Sequence, residues 1–575
     1  MTTPDETAPP PSRALREVLV ADGWAAAAVV VATALLHGSL LLSPATRITH
    51  TQFAGTHGWA LDRMAALLAG AATWSSWTPA VSFPDVTYVA HIAWVPGLVA
   101  APFNWAFGPV VGLNAATVLS PALAVPVVSA LARHWRRATP ASAALAGALF
   151  ALSPQAIGAL ANGQLCKAQL WAVAIVPLAI SLGGRSWTGL LAAPLLAASS
   201  VYTEPTYALL GALLVVPVGA WEAWRERRLV VAARLLLAAA AVGAVDLVAK
   251  RYYGVATGAL YVPAHPVPIN WFEHYLLQVA TPVTLVTGRA YEARLDLVGH
   301  VDYVGPGALA VLAVALVCRG TGRGLVALAA ALGLVLALGE WLVTLDGPVR
   351  VGGRELALPA RALAAVGFPL ADSGQYYRAL VLAWLAVALA VASARPRVAA
   401  LLALVLVGDG LRATRNLWPV PAADYSAAHC FTPLSRNPGK VGQRLRRCQQ
   451  LVEECATWVP IVTEGGSWRL DLPRKPGLYE AGRRELATAL DGLPTSDPPA
   501  AHFDSRPADF LVSTYAHIEP SALLEQLQRD GVRRVAAWGV LEAGDAALVA
   551  SMLGAPTCSG GGVSTWDIPL ATGAR

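Results

Sequence analysis

A chain of 575 residues that is 56% hydrophobic and only 14% charged, with a mean hydropathy of +0.52, carries more apolar length than one soluble core can bury, which excludes an ordinary soluble enzyme and implies a membrane protein. The net charge of +6 sits in arginine clusters beside apolar runs, the pattern of cytoplasmic membrane anchors rather than of a nucleic-acid surface. The runs are of helical length, rich in Ala and Leu and interrupted by Pro, so polytopic α-helices are expected and not the alternating strands of a lipid-facing barrel.

In chain order, residues 1–23 read as a cytoplasmic tail; Met1–Ser12 is polar and rich in Pro, so no cleavable signal is expected and the first span stays in place. Spans are expected near 24–42, 109–131, 141–160, 170–182, 188–202, 206–221, 229–249, 306–317, 325–345, 379–393 and 398–412, about eleven helices in a transmembrane region 24–412. With the amino terminus inside, the short loops RHWRR (Arg133–Arg137), GGR (ending at Arg185), WRERR (Trp224–Arg228), RGTGR (ending at Arg323) and ARPR (ending at Arg397) all fall on the inner side. The segments 43–107, 250–304 and 346–375 then become external loops. After Arg415 the composition shifts to Pro, charge and short mixed runs, so 413–575 is expected to be a soluble extracytoplasmic α+β domain. Its strand signals are SWRLDLP and RRVAAWGVL, with a helix over 521–530 and a hairpin connection at Ser559–Gly562. Four of six cysteines (Cys430, Cys448, Cys455, Cys558) lie there, where an oxidising exterior permits three pairings, while no Cys or His spacing suggests zinc.

Several stretches share a pattern. They are FPDVTY (Phe83–Tyr88), the span that begins GPVVGLN and ends in basic residues, the element Gly147, Phe150, Ser153, Pro154, the hinge NGQLCKAQ (Asn162–Gln169) and the helix bearing Pro177 and Leu178. HVDYVG (His300–Gly305) leads into a later span, and the tail from Gly531 reads strand, helix, strand. In these features the chain resembles bacterial GT-C-fold integral membrane glycosyltransferases. The resemblance implies a polyprenyl-phosphate-linked sugar as donor, a glycan or protein acceptor of unknown identity, and a site at the outer face of a bacterial inner membrane. It also implies a carboxylate on the first external loop acting as general base. Whether a divalent cation assists stays open.

The expected Gly-Asp element of that loop is replaced by Thr56-His57 in GTHGW. Three substitutes are candidates. Asp62, one turn further along, reaches the site or else forms a solvated pair with Arg63; Asp85 lies among aromatic residues or else caps a turn; His57 has a suitable unperturbed pKa or else hydrogen-bonds locally. Glu204 in YTEPT is a fourth candidate, costly if buried without a partner, and Lys167 in the hinge is its nearest candidate. Lys167 could neutralise a donor phosphate or snorkel to the surface. Arg289 and Arg378 are further phosphate candidates, each equally readable as an interfacial anchor. No Walker loop, dinucleotide loop, HExxH or GxSxG occurs. The expectation is a membrane glycosyltransferase; the alternatives are a non-catalytic lipid-glycan-binding or envelope-assembly protein and, behind it, a transporter or flippase.

Overall fold

Backbone groups in lipid must be satisfied within their own segment, so apolar Ala, Leu and Val runs form helices; helices overlap the expected span positions, and others lie inside the segments 43–107, 250–304 and 346–375 expected as loops. A computed structural model describes residues 11–49, 54–70, 77–78, 87–88, 94–161, 163–201, 203–226, 230–241, 243–244, 279–287, 301–317, 321–365, 376–417, 419–420, 422–424, 458–464, 467–469, 524–525, 528, 534–538, 550–551, 553–560 and 563–567.

The first helix, α1 (Pro11–Leu36), is followed by a short α2 (Gly38–Leu41), strand β1 (Arg47–Thr49) and α3 (Ala54–Leu68). A small ladder of β2 (Trp77–Thr78) and β3 (Thr87–Tyr88) precedes α4 (Trp94–Phe107). Next come α5 (Pro109–Leu119) and α6 (Ala124–Arg136), joined by one 3-10 turn, then α7 (Pro140–Ala151) and α8 (Pro154–Ala161). The middle of the bundle is α9 (Trp171–Arg185), α10 (Trp187–Val201), α11 (Pro205–Ala212), α12 (Val215–Glu226) and α13 (Val230–Ala241). After α14 (Pro282–Thr287), α15 (Pro306–Val317), α16 (Arg323–Ala337) and α17 (Pro359–Ala365), the helical part closes with α18 (Leu380–Val391) and α19 (Pro396–Ala413).

Among the described residues three helices are long and apolar enough to cross a membrane, Ala14–Leu36, Pro109–Arg136 and Thr206–Glu226, or four if α7 and α8, bent by 41°, form one span. Six further apolar helices run 10–17 residues. The helix expected over 325–345 stops at Ala337, because Gly339 takes φ +79° and turns the chain into a hairpin where Trp341 bridges Ala357 and Val343 bridges Pro348. Strands β4 (Arg350–Val351) and β5 (Arg354–Glu355) form its tip.

α18 is apolar on every face and all of its residues are buried, as expected of a helix at the centre of a bundle. α16 approaches it closely at Gly333, where any side chain would collide with the backbone of Ala383. Around this core, α1, α10, α12, α13, α15 and α19 leave Leu35, Leu191, Val216, Leu236, Val317 and Leu404 exposed. So much exposed apolar surface fits lipid rather than water.

The Gly147, Phe150, Ser153, Pro154 element has a mechanical reading. A Cβ on Gly147 would stand 2.6 Å from the Val125 carbonyl oxygen, so α7 meets α6 backbone to backbone, and Phe150 is fully buried beneath the contact. Ser153 Oγ accepts from the Ala156 amide at 3.5 Å, and Pro154, which has no N–H to donate, opens α8 in its first turn. The proline ring fits against Gly410 of α19.

The basic loops gather at one end. Arg136 Nε donates to Ser393 Oγ at 2.6 Å, Ser142 Oγ to the Ala394 carbonyl at 2.8 Å and Arg234 Nη1 to the Arg185 carbonyl at 3.2 Å. Arg133 lies 3.4 Å from Asp22, and His134 bonds Glu222, which Arg225 also reaches at 3.4 Å. At the other end β1 pairs antiparallel with β6 (Ala422–Asp424), Arg47 opposite Asp424, so the chain leaving α19 returns to the first loop.

Later in the chain the strands form a five-stranded sheet of order β10-β11-β9-β7-β8. It comprises β7 (Trp458–Glu464), β8 (Ser467–Arg469), β9 (Arg534–Trp538), β10 (Cys558–Gly560) and β11 (Val563–Asp567); β7 and β9 run parallel and the other pairs antiparallel. Of the connection expected at 559–562, Ser559 and Gly560 belong to strand β10 and pair with Ser564 and Val563 of β11, while Gly561 and Gly562 lie outside the described residues. Cys558 is disulfide-bonded. Cys430, Cys448, Cys455 and most of the helix expected over 521–530 lie outside the described residues.

Candidate functional site

Opposite the basic loops, five chain segments converge: the first turns of α3, the hinge between α8 and α9, the turn between α10 and α11, residues 301–305 before α15, and the 3-10 turn Tyr376–Ala379 before α18. Each is a place where a helix stops, so polar side chains and backbone face one another there instead of lipid.

The hinge is held from three sides. Gln169 Nε2 donates to Ser120 Oγ at 2.7 Å and to the Leu165 carbonyl at 3.1 Å, while its Oε1 accepts from Trp171 Nε1 at 3.0 Å. The Tyr207 hydroxyl of α11 donates to the Lys167 carbonyl at 2.8 Å. Ser200 Oγ of α10 donates to the Ala172 carbonyl at 2.6 Å, tying the Glu204 turn to α9.

Glu204 is buried, 4% exposed, and makes an ion pair with Arg378 at 3.7 Å. Sequence proximity points to Lys167 as its partner; the charge that reaches it comes instead from a turn 174 residues further along the chain. Arg378 Nη1 also donates to Thr206 Oγ1 at 2.9 Å, and the Arg378 carbonyl accepts from Gln155 Nε2 at 3.2 Å. A buried pair with this many partners is strongly specified, since removing one member leaves a charge that the low-dielectric interior penalises. Lys167, half-buried, and Glu204 both act electrostatically on the Cys166 thiol, which burial holds well above its ordinary pKa and therefore protonated.

His57 and Leu61, one turn apart on α3, share a face. His57 is buried and its Nδ1 lies 3.8 Å from Cys166 Sγ, while Leu61 clusters with Leu165 and Cys166. Asp62, the next position round the helix, turns toward Asn104 of α4. It is half-buried rather than a solvated surface acid. Loss of hydration raises its carboxyl from the ordinary 3.8 to about 7, and the Asn104 amide lowers it part of the way back. Arg63's side chain lies outside the described residues, as do Asp85 and Arg289.

Of the candidates read from the sequence, the structure thus gathers His57, Lys167, Glu204 and Arg378 around the hinge, with Asp62 one helix position away. Four participants were not singled out in advance: Gln155, Thr206, Tyr207 and the fully buried Asp302, which acts electrostatically on Tyr377. Thr206 and Tyr207 follow Glu204 in a polar run between two apolar ones, a pattern visible in the sequence. Gln155 reads in sequence as an ordinary helix residue after Pro154. Among the described residues no three His, Cys, Asp or Glu side chains come together as a metal site.

No family model and no curated protein matches the chain. Among solved structures it is similar to the arabinofuranosyltransferase AftD from Mycobacteria, at 17% identity and a TM-score of 0.45, over 96% of this chain and 40% of that one. It is also similar to the Archaeoglobus fulgidus oligosaccharyltransferase in its apo form, at 12% identity and a TM-score of 0.44, over 91% and 69%. A third is the archaeal oligosaccharyltransferase AglB from Archaeoglobus fulgidus in complex with an inhibitory peptide and a dolichol-phosphate, at 13% identity and a TM-score of 0.41, over 89% and 69%. The chain spans well under half the length of AftD.

Proposed function

We propose that this protein is a membrane glycosyltransferase that takes a sugar from a polyprenyl-phosphate donor and passes it to an envelope acceptor at the outer face of a bacterial inner membrane. The observation that carries the reading is Asp62. A half-buried carboxyl on the first loop, with a pKa of about 7, is matched to removing a proton from an acceptor hydroxyl at neutral pH. It lies on the helix whose neighbouring face meets the hinge bearing Lys167, a cation suited to the departing phosphate. The arginine loops gather at the opposite end, which the inside bias of arginine assigns to the cytoplasm, leaving this site and β6 outside.

In this reading the acceptor oxygen attacks the anomeric carbon as its proton moves to Asp62, and the bond to the lipid phosphate breaks, with the phosphate carrying off the electron pair. Glu204 and Arg378 brace the floor of the site. A lipid-glycan-binding role without chemistry is the second reading, favoured by the closure of Glu204 onto Arg378. Transfer of radiolabelled sugar from polyprenyl phosphate by the purified protein separates them. Asp62→Asn is expected to lower the rate by about 10²- to 10⁴-fold; transfer by that variant at the parent rate removes Asp62 as the base, and no transfer by the parent supports the binding role.

A further inference from the structure

At the basic end, away from the site above, a cavity of about 780 Å³ opens between the last turns of α9 and α12 and the first turns of α13, lined among others by Gly184, Arg185, Glu222, Glu226, Val230 and Arg234. Its two acids are already engaged. Glu222 bonds His134 and lies 3.4 Å from Arg225, and Glu226 lies 2.9 Å from the same guanidinium. Arg185 and Arg234 have no acidic partner among the described residues. The Arg234 guanidinium carbon lies over the Trp187 ring, 4.7 Å from its centroid, and Nη1 donates to the Arg185 carbonyl, while its buried Nε has no hydrogen-bond partner among the described residues. A buried guanidinium N–H without an acceptor is a donor that an anion entering the cavity can satisfy.

The surroundings indicate which anion. Trp187 and Trp224 are 61% and 68% exposed at the level of the cavity, and Leu191, Val230 and Leu237 are exposed beside them. Exposed indole rings at the end of an apolar helix bundle sit at the headgroup level of a bilayer. An anion held there would have apolar chains alongside it, which the exposed leucines and valine would contact.

We propose that this cavity seats the phosphate of an anionic membrane phospholipid, gripped by Arg234 and Arg185, with its acyl chains along α10 and α13. The site is independent of the transfer reaction, and its test does not measure transfer. The full-length protein in detergent is titrated with phosphatidylglycerol, with diacylglycerol and with inorganic phosphate, and bound adducts are counted by native mass spectrometry. One tight phosphatidylglycerol adduct is expected, weakened about tenfold in Arg234→Gln as one charge-assisted contact is lost, with diacylglycerol giving no adduct that depends on the arginines. Arg185→Gln, a change at an exposed position that disturbs no packing, is expected to weaken the same adduct and guards against misfolding of the first variant. Equal phosphatidylglycerol binding by parent and both variants overturns the proposal. So does displacement of the lipid by millimolar phosphate, which would make the occupant a free anion.

Discussion

Asp62→Asn tests the electrostatics of the first loop without reference to any substrate. In the unfolded chain the carboxyl ionises near 3.8, whereas in the fold it does so near 7, because burial between α3 and α4 disfavours the charge. Between those values the folded chain holds a proton that the unfolded chain has lost. The parent's stability is therefore full below about pH 4, falls as pH rises, and levels off above about pH 7. At about 1.4 kcal/mol per pH unit the difference corresponds to at most about 4 kcal/mol, and partial exposure of the side chain to water reduces this to about 2 kcal/mol. Asparagine never ionises and escapes the loss. Unfolding in detergent, followed by tryptophan fluorescence or the thermal midpoint, is expected to show Asp62→Asn matching the parent at about pH 4 and exceeding it by about 2 kcal/mol at about pH 8. A stability difference that does not change with pH would refute the raised pKa, and with it the fitness of Asp62 as a base at neutral pH.

Removing Arg378 leaves Glu204 as an unpaired buried charge, so Arg378→Met is expected to destabilise by about 3–5 kcal/mol; the double variant Arg378→Met, Glu204→Gln should recover part of this, and a double variant as unstable as the single one would show that the pair is not what Arg378 contributes. Gly147→Val places atoms against the Val125 backbone, where neither helix can yield easily, and is expected to cost about 2 kcal/mol or more in denaturant titration. Gly219→Ala on α12, where a Cβ would meet nothing within 4 Å, should be neutral or stabilise by up to about 1 kcal/mol.

Helix positions were readable from the sequence because apolar runs and arginine loops report the two constraints a bilayer imposes, satisfied backbone and charge asymmetry. Helix ends were less readable. The apolar run 325–345 continues past Ala337, and only the backbone of Gly339 reveals that the chain has already turned. At the site, Glu204 and Arg378 each stood out as charges in apolar surroundings, but their pairing joins turns 174 residues apart, which no local pattern encodes. Asp62 illustrates the same point. Its neighbour in sequence is Arg63, yet what sets its ionisation is burial against Asn104, from a different helix.

The antiparallel pairing of β1 with β6 ties the loop that carries α3 to residues made after the last helix of the bundle. Arg47 and Asp424 are 377 residues apart in the chain, so this strand pair cannot form until all of the helices have been synthesised. Assembly of this end of the bundle therefore waits on synthesis through residue 424. A ribosome stalled anywhere before residue 422 would leave helices that can pack around a first loop without its anchoring strand, so the first loop takes its paired form only after the last helix of the bundle has been made.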